Sequence, residues 1–483
     1  MKIVIAASES LPLVKVGGLG DVVYSLAKKI KNNNISKIAI VMPFYSSIRK
    51  NETYAKDIKL FKELSLKMNW RNITYKVWRL EINTVAFYLI DEPYYFDRED
   101  VYGYNDDLER FAFFQNAFCQ LIFSNDFKVD VVHLNDWETG MIPLIYKDQY
   151  EETNPRQVRF LMTVHNPAYQ GICDRKDLYD YFNLNEKYFD EGLVRFDDKV
   201  NFMKTGIVMS DLVTTVSRTH RDELMRGENA YGLEKILPLK GTDFIGIPNG
   251  LDTKHFNPTT DSHIYQNYNI ESVLKSKKAN KKALLNELGM ENPDYPLFGI
   301  VGRLASQKGI SYLIEHLDKT LRFPINLVIL GKGEPDLENQ LAFYDGHYKN
   351  LKVVIGYNSD LAHKLYASAD FLLMPSLYEP CGISQMVAMR YGTIPLCSNV
   401  GGLRDTVTSY NHQNEDEATG ILFSLTDDDA INKVIYQALD IYSKPRLKNK
   451  LIHNGMKKTF SWNDSAKEYI RLYKQMMLKN NKQ

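Results

Sequence analysis

The feature that most constrains the fold of this chain is a series of short apolar segments that alternate with helical patterns along its whole length. The segments of the first half lie at 2–10, 37–43, 129–136, 158–166, 211–217 and 244–250. Those of the second half lie at 297–303, 325–333, 351–357, 370–376 and 393–398. Near-continuous apolar strands that alternate with helices are typical of parallel sheets covered on both faces. Because 483 residues exceed the size at which one hydrophobic core stops growing, the two series predict two doubly wound α/β domains.

The boundary between these domains is predicted near residue 252, where strand and helix periodicity is lost until about Lys275. Open parallel sheets bind ligands at the carboxyl ends of their strands, so a ligand cleft between the two domains is expected. The basic run at 275–282 could bind a polyanion. We interpret it instead as the solvated face of a helix, because an apolar stripe accompanies it. That stripe consists of Ala279, Ala283, Leu284 and Leu288.

Composition narrows the class of protein. The 60 basic residues balance 60 acidic ones, which argues against a nucleic acid or an anionic membrane as the main partner. The four cysteines show neither a C-x-x-C pair nor a histidine at metal-binding spacing, so we expect reduced, mostly buried thiols and no metal site. No cofactor is predicted. A strand pattern at Lys2 instead of a signal peptide, and no run of membrane-spanning length, favour a cytoplasmic enzyme or binding protein.

The stretch LVKVGGLGDVVYSL (13–26) joins the first strand to a helix that is predicted to begin at Asp21. Glycines allow a sharp turn and bring N–H groups close to a ligand, and the positive end of a helix dipole favours an anion such as phosphate. The spacing matches neither the dinucleotide-binding fingerprint nor the P-loop. A structural turn with a solvated Lys15 is therefore the alternative interpretation.

Charged residues follow two strands of the second domain. Arg303 and Lys308 stand just beyond the first of these strands and before a new helix, where a planar guanidinium and a point charge suit a diphosphate leaving group. Glu379 lies between a later strand and a helix predicted to begin near Ile383, and it is expected to face the cleft. A glutamate in a turn is often only solvated, but a second glycine loop at 401 strengthens the functional interpretation.

Eight motifs together resemble bacterial glycogen synthase and plant starch synthase. They are KVGGLGD (15–21), HLNDW (133–137), TVHNPAYQG (163–171), PNGLD (248–252), GRLASQKG (302–309), PSLYEPCG (375–382), MRYGTIP (389–395) and GGLRDTV (401–407). The resemblance implies the GT-B fold, with two Rossmann-like domains, 1–252 and 253–459, facing a central cleft. It also implies that segment 460–483 forms a helix that crosses back to the first domain. The implied activity is transfer of glucose from ADP-glucose to an α-1,4-glucan with retention of configuration.

The resemblance further implies roles for individual residues. The expected catalytic residues are Asp136, His165, Arg303, Lys308 and Glu379. The expected donor-binding residues are Lys15, Gly17, Gly18, Tyr357, Gly382 and Gly401. In this scheme a two-sided anion clamp is formed by Lys15 with Gly17 and Gly18 on one side and by Arg303 with Lys308 on the other. Asp136 and His165 line the sugar pocket. Glu379 hydrogen-bonds the transferred glucose and stabilises positive charge on its ring, while Tyr357 lies beside the nucleotide base or merely packs.

Two departures and two alternatives accompany the resemblance. Val387 stands where related glycosyltransferases carry a second glutamate, and Pro167 stands where the bacterial enzymes usually have leucine. The aromatic stretch 92–114 is a candidate acceptor surface, with core packing as its alternative interpretation. The alternative functions are a GT-B transferase with another donor or acceptor, and a non-catalytic glucan-binding subunit.

Overall fold

The apolar segments predicted as strands form the central sheets of two units in the computed structural model, which describes residues 1–32, 37–123, 127–154 and 157–478. Unit 1 contains Met1–Gly250 and the segment from Trp462 onward, and unit 2 contains Leu251–Ser461. Residues 479–483 of the predicted C-terminal segment lie outside the described residues. Each unit has its own sheet covered by helices, which is the doubly wound α/β arrangement expected from the sequence.

The strands of unit 1 are β1 (Lys2–Ala6), β2 (Lys37–Pro43), β3 (Lys59–Met68), β4 (Arg71–Ile82), β5 (Val85–Asp91), β6 (Val131–Asn135), β7 (Arg159–Val164), β8 (Ile172–Cys173), β9 (Arg195–Phe196), β10 (Lys199–Asn201), β11 (Leu212–Thr215) and β12 (Phe244–Gly246). Its main sheet has the order β12-β11-β7-β6-β1-β2-β5-β4-β3. From β12 to β5 all pairings are parallel. Strands β8, β10 and β9 form a separate small antiparallel sheet.

The sheet of unit 1 also has an antiparallel edge, which the sequence analysis did not predict, where β4 pairs antiparallel with both β5 and β3. Along β4 exposed and buried residues nearly alternate, because one face of this edge is solvated. The sequence search relied on continuous apolar runs, which identify strands buried on both faces. It therefore missed this half-exposed meander at 59–91.

The helices of unit 1 before the boundary are α1 (Gly18–Asn32), α2 (Ser46–Arg49), α3 (Glu52–Ala55), α4 (Pro93–Phe96), α5 (Asp107–Phe123), α6 (Ile142–Gln149), α7 (Asp177–Phe182), α8 (Lys187–Asp190), α9 (Phe202–Met209) and α10 (Arg218–Arg226). Helix α1 begins three residues earlier than predicted, so Gly18 and Gly20 belong to its first turn and not to the preceding loop. The N–H groups of Val16 and Gly17 donate to the carboxylate of Glu9, which satisfies donors just before the helix and lets it start there.

Unit 2 contains a six-stranded sheet in the order β15-β14-β13-β16-β17-β18, in which all pairings are parallel. Its strands are β13 (Leu297–Val301), β14 (Asn326–Gly331), β15 (Leu351–Ile355), β16 (Phe371–Met374), β17 (Ile394–Ser398) and β18 (Ile421–Phe423). Its helices are α11 (Val273–Glu287), α12 (Ile310–Thr320), α13 (Pro335–Asp345), α14 (Ser359–Ser368), α15 (Ser384–Arg390), α16 (Gly401–Thr406), α17 (Ala430–Ser443) and α18 (Pro445–Lys457). Among the described helices of the chain, none is long and apolar enough to cross a membrane.

The interpretation of the lysines in 275–282 as a solvated face was wrong for two of them, Lys277 and Lys281, which are buried in α11. Nζ of Lys277 donates to the carbonyl oxygens of Tyr366, Ala367 and Tyr391 and to the Thr393 hydroxyl. Nζ of Lys281 pairs with Asp370 at 2.8 Å. These lysines belong to the inward face of α11 although they are charged. Carbonyl oxygens near the carboxyl ends of α14 and α15, the Thr393 hydroxyl and the Asp370 carboxylate compensate the two buried ammonium groups.

The C-terminal helix α19 (Trp462–Leu478) is part of unit 1. Its Leu472, Tyr473 and Met476 are fully buried, and the Tyr473 hydroxyl bonds Nδ1 of His133 on β6 at 2.8 Å. A Cβ atom on Gly250 would lie 2.5 Å from the backbone nitrogen of Trp462, so the two chain segments cross at van der Waals contact. This helix contributes a substantial apolar surface to the core of unit 1.

Acidification should weaken unit 2 through Asp261. This buried carboxylate accepts hydrogen bonds from Nδ1 of His363 at 2.7 Å and from the Tyr391 hydroxyl at 2.5 Å. Burial opposes ionisation, but these donors prevail and lower the pKa of Asp261 to about 2. Because the folded pKa lies below the unfolded one, the stabilisation is complete above about pH 4 and disappears as the pH falls towards 2.

We therefore expect Asp261→Asn to lower the free energy of unfolding at pH 7 by about 2 kcal/mol, and we expect the deficit to shrink as the pH approaches 3. Thermal unfolding of both proteins between pH 7 and pH 3 measures the effect. Asp428→Asn, at an exposed position of the same unit, is the matched control. Equal melting temperatures of wild type and Asp261→Asn at pH 7 would contradict the prediction.

Candidate functional site

Each main sheet reverses its strand order at one point. In unit 1, β2 and β5 extend on one side of β1, and β6, β7, β11 and β12 extend on the other, so the order reverses between β1 and β6. In unit 2 it reverses between β13 and β16. The loops that follow two such strands diverge and leave a crevice beyond the carboxyl ends of the strands, where open α/β sheets bind ligands.

The strand ends at these crevices carry the residues that sequence selected. In unit 1, Lys15, Gly17 and Gly18 follow β1, Asp136 follows β6 and His165 follows β7. In unit 2, Arg303 and Lys308 follow β13, Tyr357 follows β15, Glu379 and Gly382 follow β16, and Gly401 follows β17. Each unit therefore has its own cluster of candidate residues: Lys15 and Asp136 follow the two strands at the reversal point of unit 1, and Lys308 and Glu379 follow those of unit 2. The strands next to these carry His165 and Gly401, whereas Tyr357 follows the edge strand β15.

Lys308 and Glu379 form an ion pair at the reversal point of unit 2. Nζ of Lys308 donates to Oε2 of Glu379, and the Ser376 hydroxyl donates to the same oxygen at 3.3 Å. Glu379 is only 5% exposed. A buried carboxylate needs a cation or several donors, so the ion pair with Lys308 and the hydrogen bond from Ser376 fix the position of the Glu379 side chain.

The second glycine loop holds the backbone of the Glu379 loop. The N–H of Gly402 donates to the carbonyl oxygen of Glu379 at 3.0 Å. A Cβ atom on Gly402 would lie 2.1 Å from the carbonyl oxygen of Cys381, so this approach excludes any side chain. Gly382 and Gly401 both have positive φ, 72° and 43°. The motif that begins at Gly401 therefore holds the backbone of the loop that carries Glu379.

Arg303 is exposed, and a hydrogen bond to Gln307 orients its guanidinium group. An NH2 group of Arg303 donates to Oε1 of Gln307 at 3.0 Å, and Nε2 of Gln307 donates to the carbonyl oxygen of Tyr378 at 3.3 Å. Gln307 thus ties the guanidinium to the loop that carries Glu379. Two cations and one carboxylate, Arg303, Lys308 and Glu379, give this crevice a net positive charge suited to a diphosphate.

Tyr357 stands just beyond the edge strand β15 and is 87% exposed. Its ring therefore does not pack against the described residues of the chain, which argues against the packing interpretation. An exposed aromatic face at the carboxyl end of a sheet can stack on a planar ring such as a nucleotide base.

Asp136 holds an unusual backbone conformation at the end of β6, with φ 56° and ψ −172°. This region is populated almost entirely by glycine, and a non-glycine residue there costs roughly 1–3 kcal/mol. Oδ1 of Asp136 accepts the N–H of His165 at 2.7 Å, which joins the ends of β6 and β7. Burial raises the pKa of Asp136, although that hydrogen bond opposes the change.

His165 is held in one neutral tautomer. Its Nε2 lies 2.9 Å from Oδ1 of Asn135, and Nδ2 of Asn135 donates to the carbonyl oxygen of Ala6 at 3.0 Å. The bond to Ala6 orients the Asn135 amide, so Oδ1 faces the ring and Nε2 must carry the proton. Nδ1 is then the acceptor. Burial lowers the pKa of His165 to about 3, which keeps the ring uncharged at neutral pH.

The loop after β1 already contacts an anion, and that anion is a residue of the chain. Glu9 accepts the N–H groups of Val16 and Gly17, and Nζ of Lys15 pairs with Asp21 at 2.6 Å. The ammonium group of Lys15 thus forms an ion pair, whereas the alternative interpretation predicted that it would only be solvated. The amides that sequence assigned to a phosphate have a carboxylate partner in this structure.

Sequence reasoning missed several members of the two clusters. Glu9 fell inside the apolar segment predicted as the first strand, which ends at Ala6. Glu138 follows Asp136 by two residues and is 5% exposed, with Oε2 buried without a hydrogen-bond partner. Burial raises its pKa well above the ordinary value, and the nearby Asp136 adds to the shift. Only the fold reveals these groups, because nothing in their immediate sequence marks them as buried.

No group of histidine, cysteine, aspartate or glutamate side chains in the described ranges is arranged to hold a metal ion. The four cysteines are buried and form no disulfide with one another.

Most aromatic residues of 92–114 pack in the core of unit 1, including Tyr95, Phe96, Phe111, Phe113 and Phe114. Tyr94 is an exception at 69% exposed, and it shares a cavity of about 450 Å³ with Trp70, which is 71% exposed. The packing interpretation is thus confirmed for the buried rings, and Tyr94 and Trp70 present the aromatic surface left for an acceptor.

Comparison with known families matches both parts of the chain. The family described as starch synthase catalytic domain matches residues 2–238. The family described as glycosyl transferases group 1 matches residues 287–458.

Full-length relatives and solved structures agree with these matches. The glycogen synthase of Caldicellulosiruptor saccharolyticus is 39% identical over 99% of this chain and 100% of that protein. The glycogen synthase of Clostridioides difficile is 38% identical over 98% of this chain and 99% of that protein. The catalytic domain of starch synthase IV from Arabidopsis thaliana, bound to ADP and acarbose, is 29% identical with a TM-score of 0.91 over 98% of this chain and 99% of that chain. A sucrose-phosphate synthase from Thermosynechococcus elongatus, at 18% identity and a TM-score of 0.62 over 99% of both chains, shares the GT-B fold.

The His165 ring should stay neutral from pH 8 to pH 5, because its folded pKa of about 3 lies far below the usual value near 6.5. Carbon-13 NMR of protein labelled at histidine Cε1 measures this, with the His165 resonance assigned through its loss in His165→Gln. The same nucleus in urea-unfolded protein is the control and should titrate near the usual value. A folded-state midpoint between pH 6 and pH 7 would contradict the assignment.

Proposed function

The chain belongs to the glycogen and starch synthase family of glycosyltransferases, and we propose that it transfers glucose from ADP-glucose to the non-reducing end of an α-1,4-glucan with retention of configuration. The observation that carries this proposal is the cluster of Arg303, Lys308 and Glu379 at the reversal point of unit 2. These three side chains place two positive charges and one negative charge at one crevice. Transfer from a sugar diphosphate needs both signs of charge.

The two cations are proposed to stabilise the departing diphosphate. As the bond between the sugar and the phosphate oxygen breaks, negative charge grows on the diphosphate, and preorganised donors lower the barrier most where charge develops. Arg303 offers a planar fork to phosphate oxygens, and Lys308 offers a compact charge. Gln307 holds the Arg303 guanidinium, so less side-chain freedom is lost on binding.

Glu379 is proposed to face the transferred glucose. An oxocarbenium-like transition state carries positive charge on the ring, and an ionised carboxylate close to it is stabilising. The ion pair with Lys308 orients the Glu379 carboxylate before the donor binds, and the donor phosphates can then share the ammonium. The same carboxylate can accept hydrogen bonds from sugar hydroxyls.

Residues of unit 1 are proposed to recognise the sugar through neutral and acidic acceptors. The neutral His165 offers Nδ1 to a hydroxyl, and Asp136 fixes the His165 backbone through its Oδ1. Lys15, Gly17 and Gly18 are assigned to the phosphate and sugar region of the donor by the family resemblance.

ADP-glucose is the proposed donor because the similar starch synthase IV catalytic domain is bound to ADP. Tyr357 is proposed to lie beside the base, and Gly382 and Gly401 are proposed to contact the donor. The partners are thus ADP-glucose and an α-1,4-glucan such as glycogen or starch. The absence of nucleic-acid and membrane partners, and a cytoplasmic location, stay predictions.

Transfer of labelled glucose to glycogen tests the proposal directly. We expect incorporation from ADP-glucose to exceed that from UDP-glucose, and we expect the product to be digested by an α-1,4-specific amylase. Preference for UDP-glucose would overturn the donor assignment alone. No transfer from either sugar by folded protein would overturn the proposed activity and favour the non-catalytic alternative.

Replacement of Glu379 should abolish most of this transfer. We expect Glu379→Gln to lower kcat on the order of 10²–10³-fold, because the ring loses its stabilising charge. Glu315→Gln, at an exposed position of α12, is the matched control and should retain full activity. Thermal unfolding of both variants checks that they are folded. An active Glu379→Gln would show that Glu379 is not the essential carboxylate.

A further inference from the structure

We propose that Glu9 is a positioning residue for the donor, which acts by holding the loop that carries Lys15. This inference rests on the proposed function and names a residue of the same donor site. Glu9 is 2% exposed and lies in the segment between β1 and the glycine loop. Its carboxylate accepts the N–H groups of Val16 and Gly17, the latter at 3.1 Å from each oxygen.

The loop is wrapped closely around this carboxylate. A Cβ atom on Gly17 would lie 3.3 Å from Oε1 of Glu9, and one on Gly20 would lie 3.3 Å from Oε2. A side chain at either position would therefore press on the carboxylate. Two of the three glycines in this motif thus make room for an internal anion, which explains their spacing without a phosphate at the same amides.

Lys15 is fixed at both ends by this arrangement. Its backbone directly precedes Val16 and Gly17, whose N–H groups donate to Glu9. A Cβ atom added to Gly20 would lie 3.3 Å from the Cβ atom of Lys15. Its Nζ pairs with Asp21 at 2.6 Å. The carboxylate of Glu9 sets the path of the main chain, and Asp21 sets the direction of the ammonium.

A carboxylate suits this position better than an amide. Two converging N–H groups need acceptors, and a carboxylate offers two oxygens, whereas glutamine would present one oxygen and two further N–H donors. Burial raises the pKa of Asp136, and the charge of Glu9 adds to this rise, so the two carboxylates lie near one another.

The first test is a double-mutant cycle between Glu9→Gln and Lys15→Met. Because Glu9 acts through Lys15, Glu9→Gln should raise KM for ADP-glucose on the order of tenfold in the wild-type background and much less in the Lys15→Met background. KM for glycogen should stay unchanged. Glu152→Gln, at an exposed position of unit 1, is the matched control. Additive effects of the two variants, or an unchanged KM for ADP-glucose in Glu9→Gln, would overturn the proposal.

A second variant keeps the test decisive if Glu9→Gln fails to fold. Gly20→Ala leaves every charge in place but presses a methyl group on Glu9 and on Lys15. Alanine also has the higher helix propensity in α1, so a merely structural role predicts a more stable protein with unchanged KM. We expect KM for ADP-glucose to rise in this variant as well. An unchanged KM would overturn the positioning role.

Two readouts separate this proposal from the proposed function. Hydrogen exchange of peptides that cover residues 13–20 should accelerate in Glu9→Gln, because the single, uncharged amide oxygen of glutamine binds the N–H groups of Val16 and Gly17 less well than two carboxylate oxygens do. If the wild type transfers glucose but Glu9→Gln keeps its KM, the Glu9 proposal alone fails. If the wild type transfers no glucose, the proposed function fails. Calorimetric titration of both proteins with ADP then tests the positioning role of Glu9. Weaker binding to Glu9→Gln supports the positioning role, and equal binding overturns it.

Discussion

A strand that is buried on both faces has no room for polar side chains along its length, and this constraint decides where the chemistry of the chain lies. The core strands of both sheets are almost wholly apolar, so charged groups collect in the loops beyond their ends. Parallel strands bring those ends to one edge, and the reversal of strand order opens a crevice there. Lys308 and Glu379 meet at one such crevice although 71 positions separate them in sequence.

The two lysines at these crevices are paired with carboxylates of the protein itself. Lys308 pairs with Glu379, and Lys15 pairs with Asp21. An unpaired ammonium group in a partly buried crevice would destabilise the folded protein. Each lysine is therefore held in an ion pair before a ligand binds. A phosphate that enters adds negative charge to a pair that is already oriented. The arrangement therefore favours rapid, well-oriented binding over the strongest possible attraction.

Periodicity sufficed for the buried strands, because the apolar pattern of a strand is local in sequence, and the roles that motif resemblance assigns to residues such as Lys308 stay predictions. Local patterns failed where a polar residue is compensated by a distant partner. The sequence pattern predicts a solvated Lys277, yet this side chain is buried and donates to carbonyl oxygens near the carboxyl ends of α14 and α15. Glu9 reads as the end of a strand, yet it binds amides seven and eight residues further on. Long-range hydrogen bonds of this kind follow from tertiary packing, which no local pattern encodes.

The two clusters differ in electrostatic character, and the difference follows from their partners. In unit 1 burial raises the pKa of Glu9, Asp136 and Glu138, and the charge of a neighbouring carboxylate adds to each shift. Burial also lowers the pKa of His165 to about 3, so its ring is uncharged at neutral pH. Besides the Lys15–Asp21 pair, unit 1 thus presents a neutral imidazole and carboxyl groups, which suit sugar hydroxyls. Unit 2 presents full charges at Arg303 and Lys308, which suit a diphosphate. A reaction that separates a neutral sugar from an anionic leaving group needs both characters.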